Sequence, residues 1–122
     1  MSLYPGVPYE YSRTARGLVF AAGACPLDED GRVVAPGDRE AQATHAVENL
    51  LAALAEHDIG AESLLKTTIF VVAEEQADLV RVWDIVSARL GRAPSTLLGV
   101  SLLGYPGQLV EIEAIAAVSF GP

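Results

Sequence analysis

The stretch Lys66-Thr67-Thr68-Ile69-Phe70-Val71-Val72-Ala73 decides what kind of fold this 122-residue chain adopts. Its β-branched and aromatic residues predict a strand. Side chains alternate across a strand, so Thr67, Ile69 and Val71 share one face while Thr68, Phe70 and Val72 share the other. Both faces are substantially apolar, and a layer of helices can cover only one. An apolar sheet face of more than about a few hundred Å² left bare is usually an interface. Association of copies is therefore expected from this strand alone.

Two amphipathic helices flank that strand in sequence. The first is predicted to begin after Pro36-Gly37, with Asp38 as N-cap and Ala43, Ala46, Val47, Leu50 and Leu54 recurring at helical spacing. Gln42, His45, Glu48, Asn49 and Glu56 fall elsewhere around the wheel, and Gly60 reads as the stop. The second spans Gln76 to Leu90, with Leu79, Val82, Trp83, Val86 and Leu90 on one face and Gly91 and Pro94 ending it. The remainder predicts strands: Tyr9–Thr14 and Leu18–Gly23 as a hairpin about Ala15-Arg16-Gly17, a short Arg32–Val34 strand, and Leu97–Leu103 with Leu109–Val118 as a final pair around Gly104-Tyr105-Pro106-Gly107. The result is one α+β domain over residues 1–122, a mixed sheet with both helices on one face and residues 1–7 as a flexible N-terminal segment.

Charge narrows the partners. Sixteen acidic against eight basic residues give a net charge of −8. Lys66 is the only lysine, and the arginines form no stripe, which argues against a nucleic-acid partner. No apolar run approaches the ~20 residues that cross a bilayer, so no membrane role is expected. The single cysteine, Cys25, excludes an internal disulfide or a cysteine-rich metal site, and the expected location is cytoplasmic.

The most informative polar residues are Glu111 and Glu113 in Leu109-Val-Glu-Ile-Glu-Ala-Ile-Ala-Ala-Val118. They point to one face, ~7 Å apart, with Val110, Ile112 and Ala114 on the other. A carboxylate in so apolar a run must be paired, hydrated in a cavity or protonated. Either a general base or water-orienting group in a cleft, or an exposed edge with ordinary ion pairs, fits the strand. His45 and His57 lie about 120° apart on the predicted helix and cannot share a metal without further ligands; no metal site is expected. Cys25 follows Gly23-Ala24 and lacks the base and electropositive setting of a nucleophile. Trp83 reads as core or interface. Tyr9, after Pro8, opens the first strand, and Ser95-Thr96 reads as a loop entering a strand.

These strings together resemble the Rid/YjgF family, also labelled endoribonuclease L-PSP. The resemblance rests on Pro8-Tyr9, Leu18-Val-Phe-Ala-Ala-Gly23, Gln42 with Asn49, Lys66-Thr-Thr-Ile-Phe-Val, and Val110-Glu-Ile-Glu-Ala-Ile-Ala, and runs from about residue 8 to 118. It implies a chorismate-mutase-like fold and a homotrimer with small-molecule clefts between subunits. It also implies hydrolysis of enamines and imines such as 2-iminobutanoate without metal or cofactor. Tyr9 matches the family tyrosine, Glu111 the water-handling glutamate, and Gly23 the glycine closing the second strand. Cys25 stands close to that glycine and is a candidate to line the cleft. The substrate-holding arginine belongs where Thr96 stands in Pro94-Ser95-Thr96, and a serine belongs where Ala22 stands.

Those two departures imply a cleft retuned toward another small molecule, less basic and more apolar. Two alternatives stay open: a 2-imino acid deaminase that recruits another arginine (Arg13, Arg16 or Arg92), and a non-catalytic ligand-binding or regulatory trimer. The older label of endoribonuclease sits poorly with the acidic charge.

Overall fold

The computed structural model describes residues 2–118. Five strands and two helices follow in the order β1 (Ser12–Ala15), β2 (Leu18–Ala24), α1 (Arg39–Ala55), β3 (Leu64–Val72), α2 (Gln76–Leu90), β4 (Ser95–Val100) and β5 (Val110–Ala117), with one 3-10 turn at Ala61–Ser63 before β3. The sheet order is β1-β2-β5-β3-β4. β5 runs antiparallel to both β2 and β3, while β3 and β4 are parallel, joined over the sheet by α2. The expected pairing of the last two strands does not occur. β4 takes the far edge, and the chain returns through the Gly104–Gly107 turn to insert β5 at the centre. Val110, Ile112, Ala114 and Ala116 make β5 apolar on the helix side, which suits a central strand better than an edge.

Both helices pack on one face. Val19, Ile69, Val71, Val110 and Ile112 from the sheet meet Ala43, Ala46, Val47, Leu50 and Leu54 of α1 and Val82, Val86 and Leu90 of α2 in one core. Asp38 caps α1 as expected, its carboxylate accepting the Ala41 N–H at 3.0 Å. The helix ends before Gly60. Asp58 takes the left-handed conformation (φ 58°), and the N–H groups of His57 and Ile59 return to Leu54 O. His57 therefore lies past the helix, with its Nε2 2.7 Å from Ser12 Oγ.

Two polar residues that fall off the apolar stripe of the wheel are nonetheless buried. Gln42 is fully inaccessible: its Nε2 donates to Ala35 O and Gly107 O, and its Oε1 accepts the Leu109 N–H at 2.7 Å. Asn49 donates from Nδ2 to Cys25 O and Leu27 O at 2.8 and 2.9 Å. Buried amides are retained where they satisfy backbone groups that no ladder reaches. Here they tie α1 to the loops entering β5 and leaving β2, the two strands that form the site. Arg32–Val34 contributes only an isolated bridge, Leu27 to Val33.

The opposite face of the sheet carries no helix. Phe20 (43% exposed), Leu98 (42%), Lys66, Thr68, Phe70, Val72, Glu111, Glu113 and Ile115 lie there, partly or fully exposed within one copy. No helix among the described residues is long and apolar enough to cross a membrane.

Candidate functional site

Glu111 sits in the central strand opposite Phe70, so it is not an edge carboxylate. Its Oε1 accepts from Gln108 Nε2 at 3.1 Å and from the Cys25 thiol at 3.3 Å. Gln108, only 3% exposed, also donates to Val110 O at 3.1 Å, and its Oε1 accepts the Tyr105 N–H at 3.2 Å. The Gly104–Gly107 turn thus reaches Glu111 through one buried amide.

β2 meets the same carboxylate from the other side. Ala21 pairs with Ala114 and Ala24 with Ile112, so β2 carries one residue more than β5 between these pairs. Such a bulge bends the strand and moves the following side chains to the other face. Here it buries Ala24 and Cys25 and brings the Gly23 backbone against Glu111. A Cβ on Gly23 would lie 2.3 Å from Glu111 Oε2, so only glycine permits this approach. Ala22, beside it in the bulge, donates its N–H to Tyr11 O at 2.9 Å.

Tyr9 closes the group. It lies just before β1 rather than inside a strand, its ring edge-on to Tyr11 at 6.1 Å between centroids. The ring is 40% exposed within one copy, and Tyr105 and Cys25 are near enough to perturb its hydroxyl. Burial first, then the hydrogen bond with Tyr105, pushes the Tyr9 phenol well above its ordinary range. Burial, followed by the charge of Glu111, pushes the Cys25 thiol up to about 12. Cys25 is accordingly a thiol that donates to a carboxylate, not a thiolate nucleophile.

Tyr9, Gly23, Ala22, Cys25 and Glu111 are thus brought together within one chain. Thr96 is not. It pairs with Thr68 on β3, which pairs with Glu113 on β5. That places Thr96 about 10 Å from β5 and about 14 Å from β2, counting strand spacings. Its hydroxyl accepts from the Lys66 ammonium at 2.5 Å. Arg13 pairs with Phe20 at the β1 edge, Arg16 lies in the β1–β2 turn, and Arg92 lies between α2 and β4. The histidines stand apart: His45 Nε2 contacts Leu27 O at 2.8 Å, and His57 meets Ser12. Among the described residues no group of three or more His, Cys, Asp or Glu is placed to hold a metal. Gln108 and Tyr105 are the participants that spacing alone does not single out.

The comparisons with known proteins bear on the family and the fold. The sequence model of the family described as endoribonuclease L-PSP matches residues 2–118. The chain belongs to the Rid/YjgF (endoribonuclease L-PSP) family. Within it, the chain is 37% identical to the RutC family protein slr0709 of Synechocystis, over 93% of this chain and 88% of that one. It is 33% identical to protein DfrA of Myxococcus xanthus, over 81% and 75%. The solved structure of the Rid-family protein YyfA from Yersinia pestis, described as of unknown function, superposes with a TM-score of 0.84 at 30% identity, covering 94% of this chain and 93% of that one. The Rid/YjgF fold, two helices on one face of a mixed five-stranded sheet, is therefore the fold of this chain.

Proposed function

We propose that this Rid/YjgF chain assembles as a homotrimer through its uncovered sheet face, with a small-molecule cleft at each seam that is retuned away from 2-imino acids. Tyr9, Ala22, Gly23, Cys25 and Glu111 of one copy and Thr96 of the next line the cleft, and Glu111 positions water. The observation that carries this reading is the fixed carboxylate. Gln108 and Cys25 hold Glu111 Oε1 while Oε2 lies beside the Gly23 backbone, on a sheet face that no helix covers. A carboxylate whose orientation is set in advance is what a hydrolase without cofactor needs to direct water.

The retuning follows from Thr96. An arginine fork makes two charge-assisted bonds to a carboxylate, each contributing about 1.5–3 kcal/mol, whereas a hydroxyl makes one neutral bond. Losing one charged bond weakens anchoring roughly ten- to a hundredfold. The net charge of −8 supports a small-molecule partner over a nucleic acid, and the lone free thiol fits a cytoplasmic setting. One contact favours a second reading, a cofactor-free deaminase of 2-imino acids: the Lys66 ammonium on Thr96 supplies a cation at that position.

The test generates 2-iminobutanoate in situ with an amino-acid oxidase and follows its loss. The wild type is expected to run about a hundredfold or more below an arginine-bearing family member. Thr96→Arg is expected to raise the rate, and adding Glu111→Ala to that variant to abolish it. A wild-type rate equal to the arginine-bearing member's supports the second reading instead. No gain in Thr96→Arg, with a ligand still bound, makes the trimer a non-catalytic binder.

A further inference from the structure

Glu111 is a half-buried carboxylate that the chain leaves without a counter-ion. Among the described residues it enters no salt bridge. Its two donors, the Gln108 amide and the Cys25 thiol, are neutral, and both sit on Oε1. Oε2 faces the Gly23 backbone and receives neither. Cations on this face stand off. Arg13 and Lys66 share the row of Phe20 and Ile115, four residues along β5 from Glu111, or about 13 Å. Arg39 and Arg81 turn to Asp78, and Arg89 turns to Glu48.

Tyrosine rings border the same group. Tyr9 and Tyr11 meet edge to face, with centroids 6.1 Å apart. Tyr105, whose backbone N–H bonds Gln108 Oε1, is near enough to perturb both of their hydroxyls. Burial raises the Tyr9 and Tyr11 phenols above their ordinary range, so the rings are neutral. The Cys25 thiol is neutral as well. What the chain assembles here is one uncompensated negative charge beside aromatic rings.

We propose that the ligand of the Glu111 cleft is a small organic cation without a carboxylate, an iminium- or amidinium-like group whose N–H donates to Glu111 Oε2 while its charge lies against the tyrosine rings. This rests on the cleft reading above and names the class of molecule the cleft takes. A carboxylate held partly out of water and left unpaired attracts a cation because nothing else neutralises it. The faces of aromatic rings attract the same charge. A ligand carboxylate is repelled by Glu111, and at Thr96 it finds a hydroxyl in place of a guanidinium. The net charge of −8 draws cations toward the chain as a whole. Lys66, resting on the Thr96 hydroxyl, enters the seam with Thr96, and its competition is what an anionic probe reads.

Titration calorimetry on the whole chain tests this with three molecules of one shape: isobutyramidine, a cation; isobutyramide, neutral; and isobutyrate, an anion. The amidine is expected to bind once per chain, the amide at least about tenfold more weakly, and isobutyrate more weakly still. Glu111→Gln is expected to bring the amidine to within about threefold of the amide. Thr96→Arg, which carries a guanidinium to the seam, is expected to weaken the amidine about tenfold and to strengthen isobutyrate. If Glu111→Gln fails to fold or assemble, the wild-type series and Thr96→Arg decide. Isobutyrate binding as tightly as the amidine, or no amidine binding at millimolar concentration, overturns the proposal. An amidine preference that survives Glu111→Gln puts the cation elsewhere and overturns it too. Tight isobutyrate binding that responds to both substitutions leaves the cleft reading standing while the cation fails, whereas a particle of one chain mass removes the cleft itself.

Discussion

The Gln108 side chain holds Glu111: from a position 3% exposed, its Nε2 donates at 3.1 Å to Glu111 Oε1 while its Oε1 accepts from the Tyr105 backbone. The orientation of the carboxylate is thus set by the turn between β4 and β5. Gln108→Leu leaves the Tyr105 N–H and the Val110 carbonyl without this partner. The expected loss is about 1–3 kcal/mol of stability, read by urea unfolding. A change below about 0.3 kcal/mol would mean that the amide is not a structural tether.

Gly23→Ala separates position from stability. The new Cβ would start 2.3 Å from Glu111 Oε2, and the glutamate side chain can yield more readily than the two strands. The expected cost in stability is about 1 kcal/mol, with Glu111 displaced and any activity that depends on it lost. In the Glu111→Ala background the same substitution is expected to cost almost nothing, a coupling that a double-mutant cycle reads directly.

The Cys25 thiol gives a pH signature. Its pKa is pushed up to about 12 in the folded chain, from 9.0 in the open one. Between those values the unfolded chain gives up a proton that the folded chain keeps. The contribution of Cys25 is therefore complete below pH 9 and falls as pH rises toward 12, with a slope of up to about 1.4 kcal/mol per pH unit. Cys25→Ser is expected to flatten this part of the stability curve. Native Cys25 is also expected to react with iodoacetamide at pH 8 about a hundredfold or more slowly than in urea.

Much of this architecture is legible in the chain itself. Lys66–Ala73 shows two apolar faces because a central strand must serve both, and Asp38 marks the start of α1 because a capping carboxylate needs no tertiary context. The pairing of β4 and β5 is not legible. Consecutive strands joined by a Gly-Pro turn read as neighbours, whereas β5 is drawn into the centre by burial of Val110, Ile112 and Ala116 between β2 and β3. Gln42 and Asn49 are hidden for a related reason: a helical wheel counts amides as solvent-facing, while distant loops here require their donors. Of the candidate site, Glu111, Gly23 and Tyr9 can be named from local strings. Gln108 and Tyr105 cannot, because the bulge and the turn that join them to Glu111 exist only after the sheet has closed.

Phe20→Asp probes the uncovered face without entering the core. Phe20 is 43% exposed within one copy and faces away from both helices. An aspartate there is expected to leave the helical circular dichroism unchanged and to weaken self-association at least about tenfold, because an interface cannot bury an unpaired charge cheaply. Unchanged association would place the interface elsewhere on the molecule.

The most direct test of the whole account is the mass of the particle in solution. Light scattering coupled to size-exclusion chromatography, at micromolar concentration, is expected to return three times the 12.8 kDa of a single chain. A particle of one chain mass, stable on dilution and concentration alike, would contradict it: the bare sheet face would then need no partner, and Thr96 would never meet Glu111.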